Sequence, residues 1–585
     1  MKYPTLPVKA NSRLMVDVFK GYNHNLRIND GEFFDMENLT SDHYPVIAPR
    51  GKRGVYATPE NPQGLIAKDS LCYVDGTDFV MNEYRIDMGL SVSEDDCPKQ
   101  LISMGAYVII LPDKKWINTL DTTDFGNIEA SFKTTTDVAF SLCTITGEEY
   151  RDPVVSATEP EEPENMALWI DTSSTPHSLR QYSATSAMWV TIATTYVKIS
   201  ATGIGKAFSQ HDGVTISGIL DENLQDLNGT MTIWDKGDDF IVVVGILDVT
   251  TTQLESEGAI TIERRMPNMD FVVEANNRLW GCRYGVAVNG EVVNEIYASK
   301  LGDFKNWDCF MGIATDSWVG QVGTDGQFTG AITHLGFPLF FKENVLHKVY
   351  ISDVGAHAIQ DTACRGVQRG CHNSLAIVNE TLFYKARSGI CAYDGSLPAE
   401  SSYALGNEVY SDAVGGAHGN KYYVSMKDLQ GNSHLFVYDT AKRMWHKEDS
   451  FAAQCFCSCR GEMYAIATGD SKIVTMLGSG TQDKAAVQWM AETGDIGIGS
   501  PDMKYISRLT IRVSLDIGAA LNIYAQYDMD EKWVPLCNLR GTNLRSFSIP
   551  IRPHRCDHMR LRFEGDGAVN IYSITKTIEQ GSDRS

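Results

Sequence analysis

The sequence predicts an all-β chain: a β-propeller of about five to seven blades, a small inserted β domain, and a C-terminal β-sandwich of jelly-roll type. Three observations carry this. A short pattern recurs at blade-like spacing between residues 270 and 480, the composition favours strands and tight turns, and residues 485–580 read as a ladder of short apolar segments. At 585 residues the chain exceeds the size at which one core stops growing, so several packed units are expected. Hydrophobic residues make up 43% and charged residues 21%, an ordinary globular balance. The 50 Gly, 25 Tyr, 22 Phe and 10 Trp, with few helix-forming runs, point to strands.

The opening Met-Lys-Tyr-Pro-Thr-Leu-Pro lacks the apolar core of a secretion signal, and no stretch approaches the roughly 20 apolar residues that span a bilayer. A soluble, unprocessed chain without membrane insertion is expected. Thirteen cysteines, an odd number without CxxC pairs, argue for reduced thiols made in a cytoplasm. The formal charge is −23, yet residues 1–60 carry 8 Lys/Arg against 7 Asp/Glu and residues 485–580 carry 11 against 11. The middle of the chain therefore holds the acidic excess and repels polyphosphate, which disfavours a DNA-binding regulator or nuclease.

Residues 1–60 read as an arm of polar turns around single hydrophobic pairs, which needs a partner surface. Residues 61–135 hold the first blades, marked by Ser70-Leu-Cys-Tyr-Val74 and Gly105-Ala-Tyr-Val-Ile-Ile110. Residues 136–266 form a linker and an inserted β domain. The acidic Pro-rich run Glu159-Pro-Glu-Glu-Pro-Glu-Asn165 marks a boundary, and strands follow at Met188–Ser200, Gly213–Leu220 and in a hairpin turning at Asp235–Asp239.

Residues 267–484 hold the remaining blades. The repeated pattern is a polar turn, a large apolar residue, an aromatic, then small or β-branched residues. Its copies are Asn277-Arg-Leu-Trp-Gly281, Phe337-Pro-Leu-Phe-Phe341, Glu380-Thr-Leu-Phe-Tyr384, Asn420-Lys-Tyr-Tyr-Val424 and Gly461-Glu-Met-Tyr-Ala465. Their aromatics are spaced by 60, 43, 40 and 41 residues, close to the period of a four-stranded blade. Each of the first four is followed by a second strand closing on a turn, as in Ile390-Cys-Ala-Tyr-Asp-Gly395. In residues 485–580, strands are expected at Ile506–Val513, Ala519–Tyr527, Trp533–Cys537, Ser546–Ile551, Met559–Glu564 and Val569–Ile574, a unit suited to docking.

Candidate chemistry is sparse. Cys455, Cys457 and Cys459 alternate along a strand and share a face; core packing is the expectation and metal binding the competitor, since zinc sites need a fourth ligand and longer loops. His554 and His558 flank Cys556 among Arg552, Arg555, Arg560 and Arg562, a patch read either as solvated strand faces or as a contact for an acidic partner; Arg50, Lys52 and Arg53 are weighed alike. Asp238, Asp239, Asp528, Asp530 and Glu531 are expected to form turns. Gly203-Ile-Gly205 lacks the third glycine of a dinucleotide fingerprint. Ser299-Lys-Leu-Gly-Asp-Phe-Lys-Asn-Trp307 loosely resembles a sialidase Asp-box turn with its Asp and Gly out of order. Trp318, Trp489 and Trp533 are candidates for stacking on sugar. No catalytic, cofactor-binding or metal site is assigned, no cofactor is expected, and the chain is read as not an enzyme.

Phe19-Lys-Gly-Tyr-Asn23, Asp30-Gly-Glu32 and Asp35-Met-Glu-Asn-Leu39 resemble the N-terminal arm of phage virion proteins that sit below the portal. Asn276-Asn-Arg-Leu-Trp-Gly281, Ile296-Tyr-Ala-Ser299 and Asp303-Phe-Lys-Asn-Trp307 resemble the blade-forming stretch of the tail hub, nozzle or packaged-DNA stabilisation proteins of short-tailed phages. The resemblance covers about two thirds of the chain, mainly 10–55 and 265–480. It implies a structural virion protein of the tail, assembled in the bacterial host's cytoplasm. Such a protein forms a homo-oligomeric ring, usually of six, that extends the DNA channel below portal and adaptor. It would retain packaged DNA until ejection, pass double-stranded DNA without sequence-specific binding, and offer a platform to tail fibres or spikes. A glycan-binding tail protein is the alternative, and a propeller glycosidase the third reading.

Overall fold

The computed structural model describes residues 12–93, 99–287, 290–479, 487–499 and 501–580. Regular structure is nearly all β, and the helical elements among the described residues are four short 3-10 turns. None is long and apolar enough to cross a membrane.

Seven four-stranded meanders succeed one another along the chain. The first six occupy residues 62–87, 100–127, 271–321, 330–363, 376–400 and 411–447. The seventh takes three strands from residues 453–475 and its outermost from Gly54–Ala57, which pairs with Ile473–Thr475. Inner strands touch between neighbours: Pro62–Ala67 against Gln100–Met104, then Phe271–Ala275, then Gly330–His334; Ala376–Val378 against Ser411–His418, then Ala453–Cys459, which lies back against Pro62–Ala67, while the 3-10 turn His372–Ser374 touches both Gly330–His334 and Ser411–His418. These contacts bring the last sheet back beside the first. All seven copies of the repeated pattern fall on the second strand of a sheet. That strand is covered on both faces, which is why it reads as a continuous apolar run: Trp280 and Phe340 are fully buried and Phe383 and Tyr423 nearly so.

The N-terminal segment is not an arm awaiting a partner. Ser12–Val16 pairs with the C-terminal strand Val569–Gln580, Gly21–Tyr22 with Met444–Lys447, and Glu32–Glu37 with Trp489–Thr493. It thereby welds the sixth sheet to the C-terminal unit in one twelve-stranded sheet. Its hydrophobic pairs find their cover within the same chain, since Phe19, Tyr22, Phe33 and Met36 join one core with Trp445 and Trp489.

This weld encloses His446, whose imidazole burial pushes down to about 4, with Lys421 and Lys442 acting the same way and Asp439 and Asp42 opposing. An unfolded imidazole titrates near 6.5. Because the folded value is depressed, the contribution of neutral His446 is complete above pH 6.5 and is lost as pH falls towards 4, on the order of 3 kcal/mol. We expect the melting temperature to drop through that window, and His446→Gln to drop less steeply than the parent when melting is followed against pH. Burial also pushes the imidazoles of His347, His357 and His372 down, so the variant flattens only part of the profile.

The insert begins earlier than residue 136. Ala130–Lys133 already pairs with Thr261–Arg264 in a sheet completed by Gly213–Ser217 and Gly229–Thr232. A second sheet, of residues 138–143, 196–200, 235–236, 240–244 and 251–253, packs on it through Phe140, Val197, Ile199, Ile216, Ile241 and Ile262. Met188–Ser200 is not one strand: Met188–Thr191 belongs to a third small sheet and Tyr196–Ser200 to the second. The run Glu159–Asn165 is no boundary either. It lies between Val154–Ser156 and Leu168–Asp171, which pair in parallel and so require a crossover excursion between them.

In the C-terminal unit the expected strands fuse. Ile506–Val513 and Ala519–Tyr527 are one strand, Lys504–Tyr527, and Trp533–Cys537 and Ser546–Ile551 run largely as one, Val534–Ile549. The bend at Asp516-Ile-Gly518, with Gly518 at φ +88° and Ile517 fully exposed, is a bulge rather than a turn. The first half of the long strand pairs with Val569–Gln580 and the second half with Met559–Asp566. Its alternate residues Leu509, Ile511, Val513, Leu521, Ile523 and Ala525 face a core with Leu561, Phe563 and Ile571.

Candidate functional site

Inner strands of six sheets, with the 3-10 turn that precedes the fifth, line a cavity of about 370 Å3. Its wall mixes apolar residues such as Leu65, Phe271 and Phe456 with Gly64 and Gly415. At Gly415 a Cβ would press on the Ser374 carbonyl and the Tyr422 ring, and at Gly416 it would collide with Phe456 and Met463. We expect Gly416→Val to cost about 1–3 kcal/mol through overpacking of the joint between the sixth and seventh sheets, read as a lowered thermal midpoint.

The polar groups of the cavity are few. Gln100 joins the second and third sheets, its Nε2 donating to the Val272 carbonyl at 2.6 Å and its Oε1 accepting from the Val272 N–H at 3.2 Å. Asp270 accepts from the Tyr284 N–H at 2.8 Å, and burial pushes its carboxyl up against the opposing effects of that hydrogen bond and Arg283. His372 stands 5.3 Å from the Phe271 ring, and burial pushes its imidazole down. Lys99 turns its ammonium away, to buried Asp113 and to Ser91 Oγ at 2.7 Å. Asp270 is the single carboxylate among the described lining residues, whereas sugar hydrolysis by acid and base needs two, roughly 5–10 Å apart.

A second constellation carries no sequence motif. Thr324 Oγ1 lies 3.0 Å from His347 Nε2, and His347 Nδ1 lies 2.6 Å from Asp361 Oδ1. The order is that of a hydrolytic triad, but the burial is inverted: His347 is sealed, while its orienting carboxylate is 44% exposed. With Lys342 donating to the Thr324 carbonyl at 2.6 Å, the group fastens the turn after Trp318–Gln321 onto the fourth sheet.

The sequence candidates are scattered. Cys455, Cys457 and Cys459 pack with Leu71, Ile466 and Ile473 between the seventh and first sheets, and burial pushes the Cys457 thiol up to about 12. No group of three or more metal-ligating side chains gathers among the described residues. His554 packs against Tyr527 with ring centroids 4.5 Å apart and planes tilted by 40°, and His558 faces Asp557 at 3.1 Å. Arg560 and Arg562 pair with Glu492 at 3.2 and 2.8 Å, while Arg552 and Arg555 are exposed. Arg50 and Arg53 are committed to Asp449 and Glu448. Gly203 and Gly205 lie under the 235–239 turn, where the Asp239 carboxylate accepts from the Gly203 N–H at 2.7 Å. Asp528 accepts from the Asp557 N–H at 2.6 Å. Trp489 is buried, Arg562 covers Trp533 at 4.1 Å, and Trp318 packs beside Trp280 and His357, so none offers an open face for a sugar ring.

The Asp303–Trp307 turn has a structural task. Asn306 Nδ2 donates to Asp303 Oδ2 at 2.7 Å and to Asp212 Oδ1 at 3.1 Å, and its Oδ1 accepts from the Gly213 N–H at 2.9 Å. Asp212 in turn holds Arg264 at 2.5 Å, with both side chains buried. This network pins the insert to the third sheet.

No protein-family model matches the sequence, and no curated protein matches it. Among solved structures the chain is similar to an exo-β-1,3-galactanase of Phanerochaete chrysosporium (8% identity, 52% of this chain and 94% of that one, TM-score 0.20). It is also similar to a bacterial surface component of the type-IX secretion system of Porphyromonas gingivalis (12%, 83% and 70%, TM-score 0.26) and to the Trypanosoma rangeli sialidase (8%, 91% and 96%, TM-score 0.18). The reading of the chain as a non-enzyme is corrected by this finding. Its structural neighbours include glycoside hydrolases and a sialidase. At these TM-scores the likenesses carry no substrate or reaction to this chain.

Proposed function

We propose that the chain is a subunit of a homo-oligomeric ring in a phage tail. In this reading the seven-sheet ring is a propeller of seven blades and the C-terminal unit a β-sandwich. A ring of such subunits extends the DNA channel below portal and adaptor, retains packaged DNA and provides a platform for fibres or spikes.

The placement of charge supports it most. Residues 136–266 alone carry 20 Asp/Glu against 7 Lys/Arg, whereas residues 485–580 are balanced at 11 against 11. A surface dominated by carboxylates repels phosphate and lets a duplex pass without adhering, and a balanced unit allows copies to approach. The channel lies between subunits, because a cavity of 370 Å3 holds about a dozen waters and cannot admit a duplex whose major groove alone is about 12 Å wide. Phage particles assembled without this chain should lose their packaged genome, measured as nuclease-accessible DNA. Full retention of DNA by such particles would contradict the reading.

A further inference from the structure

We propose that the C-terminal unit joins copies of this chain head to tail, edge strand against edge strand, a contact that rests on the ring reading and specifies where its subunits meet. One half of the unit is a four-stranded sheet in the order Ser12–Val16, Val569–Gln580, the first half of Lys504–Tyr527 and the second half of Val534–Ile549, each strand antiparallel to the next. Among the described residues both outer strands have a neighbour on one side only. Each therefore presents an open row of backbone donors and acceptors, which natural sheets normally shorten, cover or charge. Here one edge strand is 16 residues long.

Strand direction decides which edges fit. In a sheet of four alternating strands the two outer strands run oppositely. A second copy set beside the first in the same orientation brings Val534–Ile549 of one against Ser12–Val16 of the other, and the antiparallel alternation continues unbroken. Apolar side chains wait at both edges: Leu14 and Met15 are 41% and 63% exposed, and Leu544 is 53% exposed.

Charge separates this contact from a two-fold one. The strand Val534–Ile549 carries Arg540 and Arg545 and no carboxylate, so two copies of that edge repel. The strand Ser12–Val16 contains Arg13, but exposed Asp17 follows it and half-exposed Asp30 sits beside it on Lys576. The basic edge thus complements the acid-flanked edge better than either complements itself. A contact between unlike edges leaves each copy with a further edge to offer and builds a ring where its rotation closes, whereas a two-fold contact stops at a dimer.

The test uses two full-length variants, Met15→Lys and Leu544→Lys, with circular dichroism and melting confirming the fold, and mass measured by analytical ultracentrifugation. The parent should sediment as an assembly larger than a dimer. Each variant alone should remain near the 64.7 kDa of one chain. An equimolar mixture should form a dimer, since one intact contact survives between the unlike edges. If either variant alone assembles as the parent does, the contact is overturned while the ring reading stands. If the parent stays monomeric at high concentration, the contact is likewise overturned, and particle DNA retention decides the ring reading separately.

Discussion

Asp449→Ala should destabilise the chain by about 3–5 kcal/mol, because it leaves the single carboxylate of Glu448 against two buried arginines where the seventh sheet meets the N-terminal segment. Asp449 accepts from Arg53 at 2.7 Å and from Arg50 at 2.9 Å, and Glu448 takes the other Arg53 nitrogen at 2.9 Å. All four side chains are largely covered, and the Arg53 guanidinium lies 4.5 Å over the Phe451 ring. Burial pushes the Asp449 carboxyl up, yet Arg53 and Arg50 prevail and hold it below its ordinary value, so the cluster also weakens as pH falls through the carboxylate range. The strand that follows, Gly54–Ala57, completes the seventh sheet from the opposite end of the chain. Hydrogen exchange should therefore show its amides losing protection first, together with a lowered denaturation midpoint. An unchanged midpoint would mean that the charge cluster contributes nothing to closure.

The second large effect is expected at Asp212. Removing it leaves the Arg264 guanidinium buried with the Ile128 carbonyl at 3.1 Å and deprives Asn306 of one acceptor. Asp212→Ala should cost about 3–5 kcal/mol, and adding Arg264→Met should recover part of it, since a well-packed apolar replacement of a buried ion pair is often neutral. Hydrogen exchange would place the loss in Gly213–Ser217 and its neighbours in the insert, with the ring sheets protected as before. A uniform loss across the chain would show that the insert is not an independently pinned unit.

What could be read from the sequence follows from where its signals are local. The second strand of each of the seven sheets is covered on both faces and built mainly of large apolar residues, so Trp280, Phe340, Phe383 and Tyr423 stand out as a repeat. Gly54–Ala57 carried no such mark, because its partner Ile473–Thr475 lies at the other end of the ring and only pairing, not composition, identifies it. Arg50 and Arg53 looked like a surface patch for the same reason: Glu448 and Asp449 are distant in sequence and adjacent in space. Asp516-Ile-Gly518 has the composition of a turn, yet the strand continues through it. The axial cavity is lined by one to three residues from each of several distant strands and turns, and the Thr324, His347 and Asp361 chain likewise comes from separate strands and turns, so neither leaves a motif.

The central claim, a ring of these subunits around the DNA axis, is tested most directly by cryo-electron microscopy of tailed particles carrying a tagged copy of the chain. The account predicts a rotationally symmetric ring on the tail axis below the portal, with the acidic insert lining the lumen and neighbouring C-terminal units in edge contact. Tagged density found as isolated monomers at the periphery of the particle, away from the axis, would contradict it.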